Sequence, residues 1–89
     1  MDHRFVLVPR VGPTGRRLRL RVEVRTDGYG WVDVETWTCR VPRRLAATDV
    51  AALVVRQGRE RGWLLSLDGW DPAGSERCVV PVRPAPPAG

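Results

Sequence analysis

The sequence predicts a small α+β domain, an antiparallel or mixed sheet of four to five strands in the order β-β-β-α-β-β with one helix packed on one face. Three observations lead there. Residues 17–25 alternate strictly between charged and aliphatic side chains. Residues 45–61 repeat small and aliphatic side chains at helical spacing. Clusters of Gly, Pro and Asp punctuate the chain between these segments.

The first strand is Phe5–Val8, ended by Pro9 and by the turn-rich Gly12-Pro13-Thr14-Gly15. The second, Arg17-Leu18-Arg19-Leu20-Arg21-Val22-Glu23-Val24-Arg25, carries the clearest pattern. Its period of two turns Leu18, Leu20, Val22 and Val24 to one face and charges to the other, the signature of a half-buried antiparallel strand. The third runs from Trp31 to Cys39. A tight turn at Asp27-Gly28 would set Val24 opposite Trp31 and mix the two faces. A loop one residue longer sets Val24 opposite Val32 and Val22 opposite Val34, which keeps the buried face apolar. The outer face then pairs Arg25 with Trp31, Arg21 with Glu35 and Arg19 with Trp37, while Glu23 meets Asp33 unfavourably. Beyond Thr36 the apolar phase shifts to Trp37, Cys39 and Val41, which indicates a bulge or a segment covered on both faces.

Pro42 closes that strand. The helix of residues 45–61 carries Ala47, Val50, Ala51, Val54 and Gly58 on one face, small enough to lie close on a sheet, with Leu53 flanking. Thr48 or Asp49 stands near its start. Arg56, Arg59 and Arg61 suit its negative end, and Gly62 stops it. Trp63–Leu67 reads as a buried strand, residues 68–75 as a loop, and Arg77–Arg83 as a last strand that Pro81 marks as an edge. Residues 1–83 thus form a single domain. The Pro-rich segment 84–89 is expected to be an extended, poorly ordered tail.

A chain of 89 residues with 43% apolar side chains supports one modest core. The start, Met1 to Arg10, lacks the features of a secretory signal, so a cytoplasmic location is expected, without membrane association. The net charge is +5, and all 15 basic residues are Arg. Complete exclusion of Lys, with abundant Ala, Gly, Pro and Val, fits GC-rich codon usage better than selection of a binding surface. The charge remains physical whatever its origin. Cys39 and Cys78 read most simply as buried thiols, with a disulfide open if their strands are neighbours.

Catalysis needs convergent groups that perturb one another. The sole histidine, His3, lies near the chain start, and no nucleophile–base pattern is visible, so no enzyme activity and no catalytic residue are expected. Asp68, Asp71 and Glu76 surround one loop with the spacing of turn formers and not of a calcium site, and no metal or cofactor is expected. Arginine and tryptophan carry what signal there is. Arg19, Arg21 and Arg25 with Trp31, Trp37 and Trp70 are the candidate binding residues. Exposed Trp and Arg are enriched at interface hot spots, which points to a non-enzymatic protein–protein interaction module: an adaptor, accessory subunit, inhibitor or self-associating domain. The alternative is a nucleic-acid-binding module on the same face, with Arg on phosphates and rings stacked on bases. Against both, Glu23, Asp33 and Glu35 partly neutralise that face.

Overall fold

A computed structural model describes residues 2–12, 15–42, 44–72, 74 and 76–86. The element order is β1 (His3–Gly12), β2 (Gly15–Thr26), β3 (Gly30–Val41), α1 (Ala47–Glu60), β4 (Trp63–Leu65) and β5 (Cys78–Pro84). The strands form one antiparallel sheet in the order β3-β2-β1-β5-β4. The chain is therefore an α+β domain of β-β-β-α-β-β order with a single helix among the described residues.

The alternation in β2 sets the two faces. Leu18, Leu20 and Val22 are fully buried, and with Phe5 and Leu7 of β1 they form the centre of the core. Each such side chain contributes roughly 1.5–3 kcal/mol relative to exposure. From the helix, Val50 and Val54 close over this face. Gly58 is buried where α1 meets β4, and a Cβ there would lie 2.5 Å from Leu65 Cδ2, so that position takes no side chain without displacing Leu65. Gly62, at φ +89°, ends the helix in the left-handed conformation that Gly adopts without strain.

The β2–β3 loop has the longer form. Thr26 pairs with Gly30, Arg25 with Trp31, Val24 with Val32 and Glu23 with Asp33, as the apolar-face criterion requires. The register then shifts. Val22 faces Glu35 and not Val34, Arg21 faces Thr36, and Arg19 faces Thr38. Val34 is the extra residue, so the bulge lies ahead of the phase change seen past Thr36. Its effect is to invert β3: Trp37, Cys39 and Val41 turn inward, and Trp37 packs opposite Leu20 with its ring centroid 5.8 Å from that of Phe5.

Three other expectations change. β1 continues through Pro9, because β5 accompanies β1 only along Arg4–Leu7 and Pro9 lies where that side is open. β5 is not an edge: Arg4–Leu7 pair with Cys78–Pro81, and Trp63–Leu65 pair with Val82–Pro84. Pro81 is tolerated because the ladder changes partner there, and no residue of β5 pairs on both sides. Pro84, expected in the tail, is the last residue of β5, and Ala85 N–H donates to Gly62 O at 2.8 Å. The end of the expected tail, residues 87–89, lies outside the described residues. Cys39 and Cys78 are free thiols on β3 and β5, strands separated by β2 and β1. No helix among the described residues is long and apolar enough to cross a membrane.

Trp37 Nε1 is buried without a hydrogen-bond partner among the described residues. Trp37→Ala is expected to lower stability by about 3–5 kcal/mol through cavity formation. Trp37→Phe should cost clearly less, since no indole hydrogen bond is lost. Equilibrium denaturation of the two variants checks both. A near-zero effect of Trp37→Ala would place the ring at the surface.

Candidate functional site

Opposite the helix, the sheet presents a second face, on which Val6 is fully buried although most side chains around it are charged or polar. Continuing the period of two, it carries Arg4, Val6, Val8 and Arg10 from β1, and Arg17, Arg19, Arg21, Glu23 and Arg25 from β2. From β3 it carries Trp31 and Asp33 before the bulge and Thr36, Thr38 and Arg40 after it. Of the six candidate residues, Arg19, Arg21, Arg25 and Trp31 meet on this face. Arg19 and Arg25 are exposed, Arg21 and Trp31 half-buried. Trp37 lies on the other side in the core. Trp70, in the loop after β4, is half-buried against that same core. The bulge takes Trp37 off the outer face, and Trp70 packs partly against the core.

One end of the face is electrostatically satisfied. Glu23 is only 6% exposed although it points away from the helix. Arg4 Nε donates to Glu23 Oε1 at 2.6 Å. Arg21 Nε sits 3.4 Å from Glu23 Oε2 and 3.9 Å from Asp33 Oδ1, an ion pair without a well-aligned hydrogen bond. Arg4 also lays its guanidinium 4.3 Å from the Trp31 ring centroid. The unfavourable Glu23–Asp33 pairing is thus bracketed by two cations and capped by a cation–π contact. Burial pushes the Glu23 carboxyl up, but the hydrogen bond from Arg4 and the charges of Arg4 and Arg21 outweigh it and hold the group below the ordinary value of 4.5.

The bulge places a second carboxylate, Glu35, on the helix side. Trp63 Nε1 donates to Glu35 Oε2 at 3.0 Å, and Arg61 Nη1 donates to Oε1 at 2.6 Å. The Arg61 guanidinium stands 4.6 Å from the Trp37 ring centroid, and His3 tilts against Trp63 with centroids 5.3 Å apart. Glu35 is held below 4.5 by the hydrogen bond from Trp63 and then that from Arg61, against a smaller upward push from burial. The arrangement fastens the C-terminal end of α1 to β3. It is structural, since both oxygens of the carboxylate are engaged.

At the hairpin tip the surface is apolar. Tyr29 is 86% exposed, Val32 42% and Val34 50%, and Trp31 stands among them on β3, an edge of the sheet. Residues 29–34 hold three of the four large exposed apolar side chains among the described residues, the fourth being Val79. Sequence reasoning missed Tyr29, Val32 and Val34, and it missed Arg4, Arg10 and Arg40 as members of the outer face. A usable signal existed for two of them: the phase of Phe5 and Leu7, extended both ways, puts Arg4 and Arg10 on the side away from the core.

No His, Cys, Asp or Glu side chains among the described residues gather in threes to hold a metal ion. The thiols of Cys39 and Cys78 are both pushed above their ordinary value by burial, which keeps them protonated and weakly nucleophilic at neutral pH. Comparison with protein-family models, with curated proteins and with solved structures finds no match to this chain.

Glu23 and Glu35 are both more acidic in the folded chain than a free glutamate, so the folded state binds fewer protons near and below pH 4.5. Their contribution is fully present above that value and is lost as pH falls through the folded values. Stability is expected to be level from about pH 7 to pH 5 and to drop on further acidification. The variants Glu23→Gln and Glu35→Gln should start less stable at neutral pH and show a shallower acid loss, checked by denaturation midpoints across that range. An unchanged acid limb in both would show that these ion pairs contribute nothing.

Proposed function

We propose that this chain is a non-enzymatic protein-binding module that meets its partner at the tip of the β2–β3 hairpin and along the free edge of β3. The observation that carries this reading is the concentration of exposed apolar side chains, Tyr29, Val32 and Val34, on one end of an edge strand, with Trp31 and Arg25 directly across from each other beside them. An edge strand has backbone donors and acceptors free on one side, and proteins usually protect it with charge. Here the residues nearest the tip are apolar instead. An extended segment of a partner protein, added antiparallel to β3, would satisfy the free backbone groups and cover Val32 and Val34 beside the edge. Arg25 and Trp31 are of the residue types that dominate interface energetics.

The reading differs from a broad Arg/Trp sheet surface. Two of the three tryptophans first assigned to binding face the core, so the interface narrows to the hairpin tip and edge.

Light scattering on the full chain over a range of concentrations shows whether the partner is a second copy. Affinity capture from host lysate with Val32→Lys as the control tests a different protein. Val32 is 42% exposed, so the substitution should leave thermal unfolding unchanged. It should weaken dimerisation or capture by about tenfold or more, the effect of losing one hot spot. A strict monomer that captures nothing, or that captures equally well with Val32→Lys, overturns the proposal.

A further inference from the structure

The other end of the outer face has cations without counter-charges. Arg17 of β2 stands directly opposite Arg10 of β1 on one side and Arg40 of β3 on the other. Three guanidinium-bearing residues therefore face one another across three successive strands, with outer Cα atoms roughly 10 Å apart. In the next row Arg19 lies between Val8 and Thr38. All four arginines are exposed. No described Asp or Glu lies within ion-pair distance of any of them, whereas Arg4 and Arg21 on the same face share Glu23. Arg10, Arg17, Arg19 and Thr38 line a depression of about 300 Å³.

Like charges directly opposite one another destabilise a sheet. A row of three facing arginines with no acid beside it is a costly arrangement for a free surface. Codon usage accounts for Arg in place of Lys, but it does not explain why these cations line up across the register while the acids gather three rows away. A bound anion removes the repulsion. Guanidinium groups bind tetrahedral oxyanions through paired N–H donors, and the Thr38 hydroxyl adds one more donor at the rim.

We propose that Arg10, Arg17, Arg19 and Arg40, with Thr38, form a binding site for phosphate groups. It lies on a different part of the sheet from the hairpin tip, and it stands or falls independently of the protein-binding reading. The phosphates are those of a nucleic-acid backbone or of a small phosphorylated ligand, which present the same oxygens to the same donors.

The test uses the full chain with two probes, pyrophosphate by calorimetry and a fluorescent single-stranded oligonucleotide by anisotropy at low and moderate salt. The double variant Arg17→Gln/Arg40→Gln is compared with Arg56→Gln/Arg59→Gln, which removes the same charge from exposed positions on the helix. The site variant is expected to weaken binding by about tenfold or more at low salt and to flatten the salt dependence by about 1.5 units of slope, with the helix variant within about twofold of the parent. Without ligand, Arg17→Gln should unfold at the same temperature as the parent or higher, because it relieves the facing charges, and it should lose the stabilisation that pyrophosphate gives the parent. This readout separates a site from a structural role. Loss of oligonucleotide binding alone assigns the site to a nucleic-acid backbone, and loss of pyrophosphate binding alone assigns it to a small phosphorylated ligand. Binding of neither probe, or equal weakening by the helix variant, overturns the proposal.

Discussion

Which side chains β3 gives to the core and which to the outer face depends on a single inserted residue in this edge strand. A β-strand alternates its side chains without exception, so β3 can change which residues it buries only by adding a residue that the partner strand does not match. Val34 is that residue. Before it, Trp31 and Asp33 lie on the outer face beside Arg25 and Glu23. After it, Glu35, Trp37, Cys39 and Val41 turn toward the helix. Without the bulge, Thr36 and Thr38 would occupy the core, and Trp37 would lie beside Arg19 in water. The apolar area of one indole is large enough to settle the choice, since truncating such a ring in a core costs several kcal/mol.

The two carboxylates on either side of the bulge serve the two faces separately. Glu23 binds Arg4 and Arg21 and so ties β1 to β2 on the open side. Glu35 binds Arg61 and Trp63 and so ties the end of α1 and the start of β4 to β3. Each acid is engaged from more than one element, and each therefore constrains the relative position of those elements. The consequence is an uneven surface. Acids cluster near the hairpin tip and at the helix end, and the start of β2 is left with arginine alone.

Much of this was legible in the sequence, and the limits have physical causes. The alternation of β2, the longer hairpin loop and the helix face all follow from keeping one side apolar, a constraint that acts between neighbours in sequence. The phase change in β3 was visible too, but not its origin at Val34, because the apolar-face criterion sets Val34 opposite Val22, whereas it is the unpaired, half-exposed residue of the bulge. Arg4 could not be matched to Glu23 without knowing that β1 pairs with β2 at that register. Pro81 reads as an edge marker by its missing N–H. Only the three-dimensional pairing shows that β5 changes partners at that residue and needs no donor there. Trp70 gave no signal, since a ring in a Gly/Pro-rich loop folds back onto the core only if the loop geometry allows it.

The pairing of β1 with β5 has a bearing on how the chain reaches its final form. β1, β2 and β3 are successive and contact one another through short loops, so they can assemble as a meander while later segments are still unstructured. One flank of β1 along Arg4–Leu7 then waits for Cys78–Pro81, the most distant strand in the sequence. Until those residues arrive, the nascent sheet has two open flanks, and the core that Phe5 and Leu7 join with Leu67 and Val82 is incomplete. Of the pairings in the sheet, closing the chain's two ends on each other spans the longest loop and carries the largest closure entropy.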